Sequence, residues 1–310
     1  MAVSVALDIG AGTIKASLVD DTGRPLAQRR FATRGESGIA ESLDRVLDAL
    51  KTMLDIATSR GEVSRAIGIA VCGPVDADKA TVTSVNLGWE AMPLGSAVAG
   101  LTELPVALLN DAHAGALGEQ KLGSARGMQD FVYVALGTGV GSAIALRGQI
   151  YEGFRGHAAE LGHVRVTTNG PRCACGSVGC LETLSSAAAI ERSYALRTGA
   201  KASCREIAAL VDSGDVTAGL VWEEAMHFLA LGLLTISTIL DPEAIVIGGG
   251  LAGAGNTLLR PLERCLASEA ASFNVLPSLA LATLGEWSAN AGAGLEAWSR
   301  LASGSGSGGV

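Results

Sequence analysis

Apolar residues alternate or run together from the first positions of the chain. VSVALDIG reads as a buried strand, IKASLVDD as a second, and after a polar turn at Asp21-Thr22-Gly23 the stretch PLAQRRFAT completes a three-strand meander. Between Gly38 and Gly61 the spacing becomes helical: Ile39, Leu43, Val46, Leu47, Leu50, Met53, Leu54 and Ala57 share one face, and Gly61 is the stop signal. The pattern then predicts a buried strand at AIGIAVCG, a helix near residues 93–101, and a strand ending in VALLND.

The plan then restarts. FVYVALGTGVGSAIALRGQIY repeats the order of VSVALDIGAGTIKASLVDDTG, with a strand, a glycine turn containing Thr, a second strand and a polar turn, which is the mark of an internal duplication roughly 130 residues apart. Residues 184–240 read as mainly helical, EAIVIGGG as a buried strand running into glycines, and residues 286–301 as a final helix. Two such halves imply two α/β domains around a cleft, which resembles the duplicated actin/hexokinase-like (ribonuclease H-like) ATPase fold. The expected division is a smaller α/β domain over 1–111, a larger α/β domain over 112–285, a C-terminal helix at about 286–302 that can return to the first domain, and a flexible tail over 303–310.

Composition narrows the function. The chain has 310 residues, 48% of them apolar, which excludes a disordered protein. A net charge of −8 without a Lys/Arg cluster gives no electrostatic basis for binding nucleic acid or an anionic membrane. With no leader-like N-terminus and no apolar run of membrane-spanning length, a cytoplasmic protein with a small-molecule partner is expected. Of six cysteines, Cys173, Cys175 and Cys180 cluster while Cys72, Cys204 and Cys265 are scattered, which suggests a metal rather than a disulfide framework.

Three glycine turns follow strands: Asp8-Ile9-Gly10-Ala11-Gly12-Thr13, Gly137-Thr138-Gly139 and Gly248-Gly249-Gly250. Such turns present backbone N–H groups to phosphates, and Asp8 at a strand end suits hydrated Mg²⁺. Each is also explained as a tight hairpin needing glycine for its dihedrals. Asn110-Asp111 ends a strand and begins a helix, so Asp111 is either a helix N-cap or a base that takes a hydroxyl proton during phosphoryl transfer. His163 with Cys173, Cys175 and Cys180 supplies the four ligands of a closed tetrahedral Zn²⁺ site. His157 is an alternative ligand, and His227, in an apolar helix, reads as a packed core residue.

Together these motifs resemble the ROK family of bacterial repressors, open-reading-frame products and sugar kinases, especially its glucokinase-like members. DIGAGTIKASLVD is similar to the first phosphate motif, LNDAHAGALGE to the catalytic motif, LGTGVG to the second phosphate motif, AAELGH with CACGSVGCLE to the ROK signature, VIGGGLAGAG to the adenosine-side motif, and LGEWSANAGAGLEAW to the C-terminal segment. The resemblance implies Asp111 as general base and Asn110 as a sugar contact. Glu160, His163 and Glu182 would meet sugar hydroxyls, with Gly73 and Asn86 on the sugar-side wall. His163 would also hold a structural zinc with the three cysteines. Asp8, Gly10, Gly12, Thr13 and Lys15, with Gly137, Thr138 and Gly139, would serve the phosphates, and Gly248, Gly249 and Gly250 the adenosine.

The implied cofactors are ATP, Mg²⁺ and structural Zn²⁺, and the implied assembly is a homodimer or homotetramer. Glucose, phosphorylated on its 6-hydroxyl, is the leading substrate, with other hexoses and N-acetylhexosamines as alternatives. A sugar-sensing regulator is the alternative from another class, although Asp8 lies too near the start for a preceding helix-turn-helix. Some positions depart from the family pattern. Ala11 and Gly12 stand where Gly and Thr are usual, as in polyphosphate-using relatives, Leu109 and His113 where Glu and Asn are common, and Ser142 where Gly is frequent.

Overall fold

The computed structural model describes residues 1–272 and 276–304. Contacts divide the chain into two units. In the first, β1 (Ala2–Ile9), β2 (Thr13–Val19), β3 (Pro25–Ala32), β4 (Val63–Val71) and β8 (Val106–Asn110) form one sheet in the order β3-β2-β1-β4-β8. The meander β1–β3 is antiparallel, whereas β1, β4 and β8 run parallel. Pairing of Ile9 with Val71 and of Val71 with Asn110 brings the C-terminal ends of the three parallel strands level. That edge carries Asp8, from β1, and Asn110 with Asp111, at the end of β8.

Helix α1 (Ile39–Ser59) buries Val46, Leu50, Met53 and Ala57 against the sheet, as its periodicity predicts. Ile39, on the same predicted face, is instead 48% exposed. A small second sheet, β5 (Val75–Asp76), β6 (Thr81–Ser84) and β7 (Trp89–Met92), precedes α2 (Leu94–Ala99). Its strands of two to four residues are too short to show a period, so only the helix is evident in the sequence. Helix α3 (Asp111–Leu122) follows β8 directly.

The second unit repeats the arrangement. Strands β9 (Phe131–Leu136), β10 (Val140–Leu146), β11 (Gln149–Ile150), β12 (Ala244–Gly248) and β13 (Ser278–Leu281) are ordered β11-β10-β9-β12-β13, with an antiparallel β9–β11 and a parallel β9, β12 and β13. The shared topology is the duplication visible in the sequence. Helices α4 (Glu182–Ser185), α5 (Ala187–Thr198), α6 (Cys204–Asp212), α7 (Val216–Leu240) and α8 (Asn256–Glu269) pack on this sheet, and α7 alone brings Trp222, Met226, Leu229 and Leu233 into the core.

Helix α7, with 25 residues and a mean hydropathy of 1.3, is long and apolar enough to cross a membrane, contrary to the sequence expectation that no such stretch exists. One side of it supplies the core just described, while Val216, Leu220 and Ile239 are exposed. His227, expected in that core, is instead half-exposed on α7 with Nδ1 3.4 Å from the Glu269 carboxylate.

Helix α9 (Ser288–Gly304) belongs to the first unit. It lies against α3, β1 and β4 at a distance only small residues permit: a Cβ on Gly292 would stand 1.8 Å from the Ala114 carbonyl, and one on Gly118 2.3 Å from that of Ser288. This packing moves the first boundary from the expected residue 111 to Arg126, because α3 is sandwiched with α9 rather than opening the second unit. Residues 152–157 also belong to the first unit. Of the expected tail, Ser303 and Gly304 end α9, and 305–310 lie outside the described residues.

Candidate active site and metal centre

At the level edge of the first sheet, the end of β1 presents Asp8, only 7% exposed, with Lys15 Nζ 2.8 Å from its Oδ2. The two are cross-strand partners in the β1–β2 register, a relationship the sequence shows only once the hairpin is drawn. The hairpin is fastened from behind by Asn290 of α9. Its Nδ2 donates to the carbonyls of Ala6 (3.0 Å) and Lys15 (3.1 Å), and its Oδ1 accepts from Ser17 Oγ. Within the turn, Gly10 N donates to the Thr13 carbonyl, whereas Gly12 and Thr13 are exposed. A lone amide in a helix of small residues was the available signal for Asn290.

At the end of β8 the cap is Asn110. Its extended backbone and its Oδ1, which accepts from the N–H groups of Ala112 (2.9 Å) and His113 (3.2 Å), close the first turn of α3, while Nδ2 donates to the Gly73 carbonyl at 3.1 Å. Asp111 is therefore not the N-cap. It is the first helical residue, half-buried, with Oδ1 accepting from Ala112 N at 2.9 Å. Asn110, expected to bind sugar, spends its side-chain oxygen on the cap.

Gly73 has φ of +106°, and a Cβ there would stand 2.3 Å from the Thr83 carbonyl, so no other residue fits. Beside it, the Cys72 thiol is pushed up to about 11 by burial, then by the nearby charges of Asp111 and Asp8, and its sulfur lies 3.3 Å from Ser84 Oγ. Cys72 thus stays protonated at neutral pH and marks where the two carboxylates converge. Asn86 is exposed in a short 3-10 turn and lines a cavity of about 530 Å³ together with Ala11, Gly12 and the loop at Gly35–Ile39.

In the second unit, Gly137–Gly139 follows β9 and Gly248–Gly250 ends β12, at the same edge because β9 and β12 are parallel and Gly248 pairs with Ala135. Glu182, the first residue of α4, accepts from Val140 N at 3.0 Å, and a Cβ on Gly139 would lie 2.3 Å from that carboxylate. Glu182 therefore holds the Gly137–Val140 turn, a role its spacing did not reveal. Gly249 (φ +79°) passes so close to Leu136 that a Cβ would come 2.4 Å from its carbonyl.

Glu160 and His163 flank a 3-10 turn and are both exposed, with His163 Nε2 3.9 Å from Glu160 Oε2. The segment is fixed by buried Ser142, which donates to the Ala159 carbonyl and accepts from Leu161 N at 3.3 Å. Ala159 sits at φ +66°, a left-handed conformation disfavoured for a residue with a Cβ.

The four expected metal ligands meet. One donor atom from each of His163, Cys173, Cys175 and Cys180 lies within 4.8 Å of every other. The Cys173 Sγ to His163 Nδ1 and Cys175 Sγ to Cys180 Sγ separations are both 3.6 Å. Zinc at its usual bond lengths spaces tetrahedral ligands by about 3.5–3.8 Å. Gly176 (φ +92°) and Gly179 (φ +76°) turn the loop around the cluster. The N–H of Ser177 holds the Cys175 thiol down to about 6, whereas burial pushes that of Cys180 up. With Nδ1 turned to the cysteines, Nε2 faces Glu160. His157 is exposed and lies in the other unit, so it is not part of the cluster.

The sequence pattern of the ROK family matches residues 4–298. The chain belongs to the ROK family. Its relatives include a glucokinase of Halalkalibacterium halodurans, 32% identical over 84% of this chain and 84% of the relative. The xylose repressor of Bacillus subtilis is 27% identical over 89% of this chain and 72% of the repressor. Among solved structures, a ROK family glucokinase from Streptomyces griseus in complex with glucose and AMPPNP matches with a TM-score of 0.86 and 30% identity, covering 95% of this chain and 99% of that one. The sheet orders described above are thus those of the actin/hexokinase-like ATPase fold.

Proposed function

We propose that this protein is a hexose kinase that transfers the terminal phosphoryl group of ATP to a sugar hydroxyl, with glucose as the leading acceptor. The observation that carries the reading is the division of work at the start of α3: Asn110 caps the helix, so the Asp111 carboxylate stands at the strand edge without serving as the cap. The S. griseus relative, solved with glucose and AMPPNP, supports the acceptor and the donor class.

Asp111 accepts the hydroxyl proton as the sugar oxygen attacks the γ-phosphorus and the bond to the leaving diphosphate breaks. Backbone N–H groups of the turns at Gly10–Thr13 and Gly137–Gly139 serve the phosphates, and the Gly248–Gly250 turn serves the adenosine. Asp8, charge-paired with Lys15, would hold the water shell of Mg²⁺, which neutralises phosphate charge. Glu160, His163 through Nε2, Glu182, Asn110 and the Gly73–Asn86 wall are the sugar contacts in this reading. Zn²⁺ would sit among His163, Cys173, Cys175 and Cys180 and supply rigidity, with no open ligand position for water.

Sugar phosphate formation measured over glucose, mannose, fructose, allose and N-acetylmannosamine, once with ATP and once with polyphosphate, tests this. Turnover of glucose with ATP is expected to lead the panel. Sugar binding without turnover with either donor would overturn the kinase reading in favour of a sugar sensor like the repressor relatives.

Ser142 gives a finer check. Removing its two hydrogen bonds around Glu160 in Ser142→Gly is expected to raise the sugar KM by roughly 2- to 10-fold, the value of one or two hydrogen bonds, with kcat within about threefold. An unchanged KM would show that Glu160 needs no such support.

A further inference from the structure

Helix α9 returns to the β1–β2 hairpin along one stripe. Asn290, Gly294 and Trp298 stand four residues apart and so share a face of the helix, and each meets the hairpin through a hydrogen bond. Asn290 Nδ2 donates to the Ala6 and Lys15 carbonyls, the Gly294 carbonyl accepts from Ser4 Oγ at 3.1 Å, and Trp298 Nε1 donates to the Val19 carbonyl at 3.3 Å. The three fastenings differ in what lies beside them. Ser4 and Val19 are cross-strand partners four residues from the Asp8 and Lys15 pair, or about 13 Å along the strand. Asn290 grips both strands next to that pair, at the carbonyl of Lys15 itself and two residues before Asp8.

Asn290 is only 2% exposed, and its amide is spent on the hairpin: Nδ2 serves a carbonyl on each strand, and Oδ1 accepts from Ser17 Oγ. Fastening a helix to a sheet needs no such group, because an apolar side chain packs there without the cost of burying an amide. Asn290 is itself held from the other side. Ser288 Oγ, at the start of α9, donates to the Glu119 carboxylate at 2.7 Å, and Glu119, wholly buried, also accepts from Ser124 N at 2.9 Å. Glu119 lies on α3, the helix that begins at Asp111. The first turn of α9 thereby ties the hairpin of Asp8 to the helix of Asp111.

We propose that Asn290 is a positioning residue, which keeps Lys15 against Asp8 and so preserves the charge arrangement that receives the magnesium complex of the nucleotide. It acts through the backbone of the two strands. What the pair serves rests on the hexose-kinase reading, whereas the positioning itself does not.

The test compares Asn290→Ala with Ser17→Ala, which keeps both Nδ2 bonds and loses only the contact at Oδ1. Ser4→Ala and Trp298→Phe, each removing one remote fastening, are the controls. One measurement, on the nucleotide-free full chain, is the rate at which a lysine-directed acetylating reagent labels Lys15, relative to the half-exposed Lys51. The other is the Kd of AMPPNP with Mg²⁺ by isothermal titration, beside the Kd of glucose and the melting temperature.

In Asn290→Ala, Lys15 is expected to label several-fold faster and the nucleotide complex to bind about tenfold or more weakly, as when support around a metal ligand is lost. Glucose affinity should stay within about twofold, because the sugar contacts lie elsewhere. Ser17→Ala should move both quantities the same way by about twofold, the value of a weak hydrogen bond, and it decides the matter if Asn290→Ala does not fold. The two controls should lower the melting temperature and leave labelling and nucleotide affinity unchanged.

Unchanged labelling of Lys15, faster labelling with unchanged nucleotide affinity, or equal losses of nucleotide affinity in the controls overturns the assignment and leaves Asn290 a structural residue. A parent that binds the nucleotide complex yet phosphorylates no sugar strikes the kinase reading alone, because the labelling needs no turnover.

Discussion

Asp111→Asn is expected to lower kcat by roughly 10² to 10⁴, the usual loss when a general base is removed. Sugar affinity, zinc content and thermal stability should stay close to those of the parent. The reasoning depends on which residue caps α3. Had Asp111 been the cap, its replacement would have weakened the helix, and a fall in rate would have had a structural explanation. Asn110 accepts from both Ala112 and His113 and also donates to Gly73, so the cap survives the change. Asn at 111 keeps an oxygen able to accept from Ala112 N, as the Asp carboxylate does, but loses the negative charge and with it the capacity to take a full proton. Single-turnover phosphorylation, together with isothermal titration of the sugar, separates the two outcomes. A variant that binds sugar and turns it over at the parent rate would remove Asp111 from the mechanism.

The second large effect is expected from Cys180→Ser. Cys180 is wholly buried, its sulfur lies 3.6 Å from that of Cys175, and its neighbours tie the loop to the rest of the unit through the bridge of Arg165 with Cys180. Inductively coupled plasma mass spectrometry should find about one zinc per chain in the parent and less than about a tenth of that in the variant. Because the ring that turns Nδ1 to the cysteines turns Nε2 toward Glu160, losing an ion held there would free both groups proposed as sugar contacts at once. The expected fall in kcat/KM is about 10- to 100-fold, the range seen when support around a metal ligand is lost. Cys265→Ser, on α8 and outside the cluster, serves as control and should change neither readout. Full activity in a zinc-free variant would reduce the cluster to an ornament of the loop.

The parts of the fold that have a strong period were legible. The two meanders, α1, the strand into Asn110-Asp111 and the helical stretch ending in α7 can all be read from spacing because one face of each must be buried. The three short strands around Trp89 were not, since two to four residues cannot display alternation. The His/Cys cluster was legible because metal ligands are few and their types distinctive. The roles of Ser142, Glu182 and Asn290 were hidden for the opposite reason. Each acts through a hydrogen bond to backbone distant in sequence, at Ala159, Val140 and Ala6, and no local pattern encodes that partner. The boundary at residue 111 was misplaced because small-residue packing between α3 and α9 leaves only glycines and alanines in the sequence, which look like an unremarkable helix.

The return of α9 to the first sheet has a consequence for how the chain is made. Ser4 Oγ donates to the Gly294 carbonyl, and the backbone carbonyls of Val19 and Ala6 accept from Trp298 Nε1 and Asn290 Nδ2, so the opening strands wait for residues that leave the ribosome far later. At ordinary synthesis rates, the interval between the emergence of Arg126 and of α9 is about 10 to 35 seconds. For that time the nascent first sheet carries an uncovered apolar face, and an organism making this protein in quantity has reason to keep a chaperone at hand.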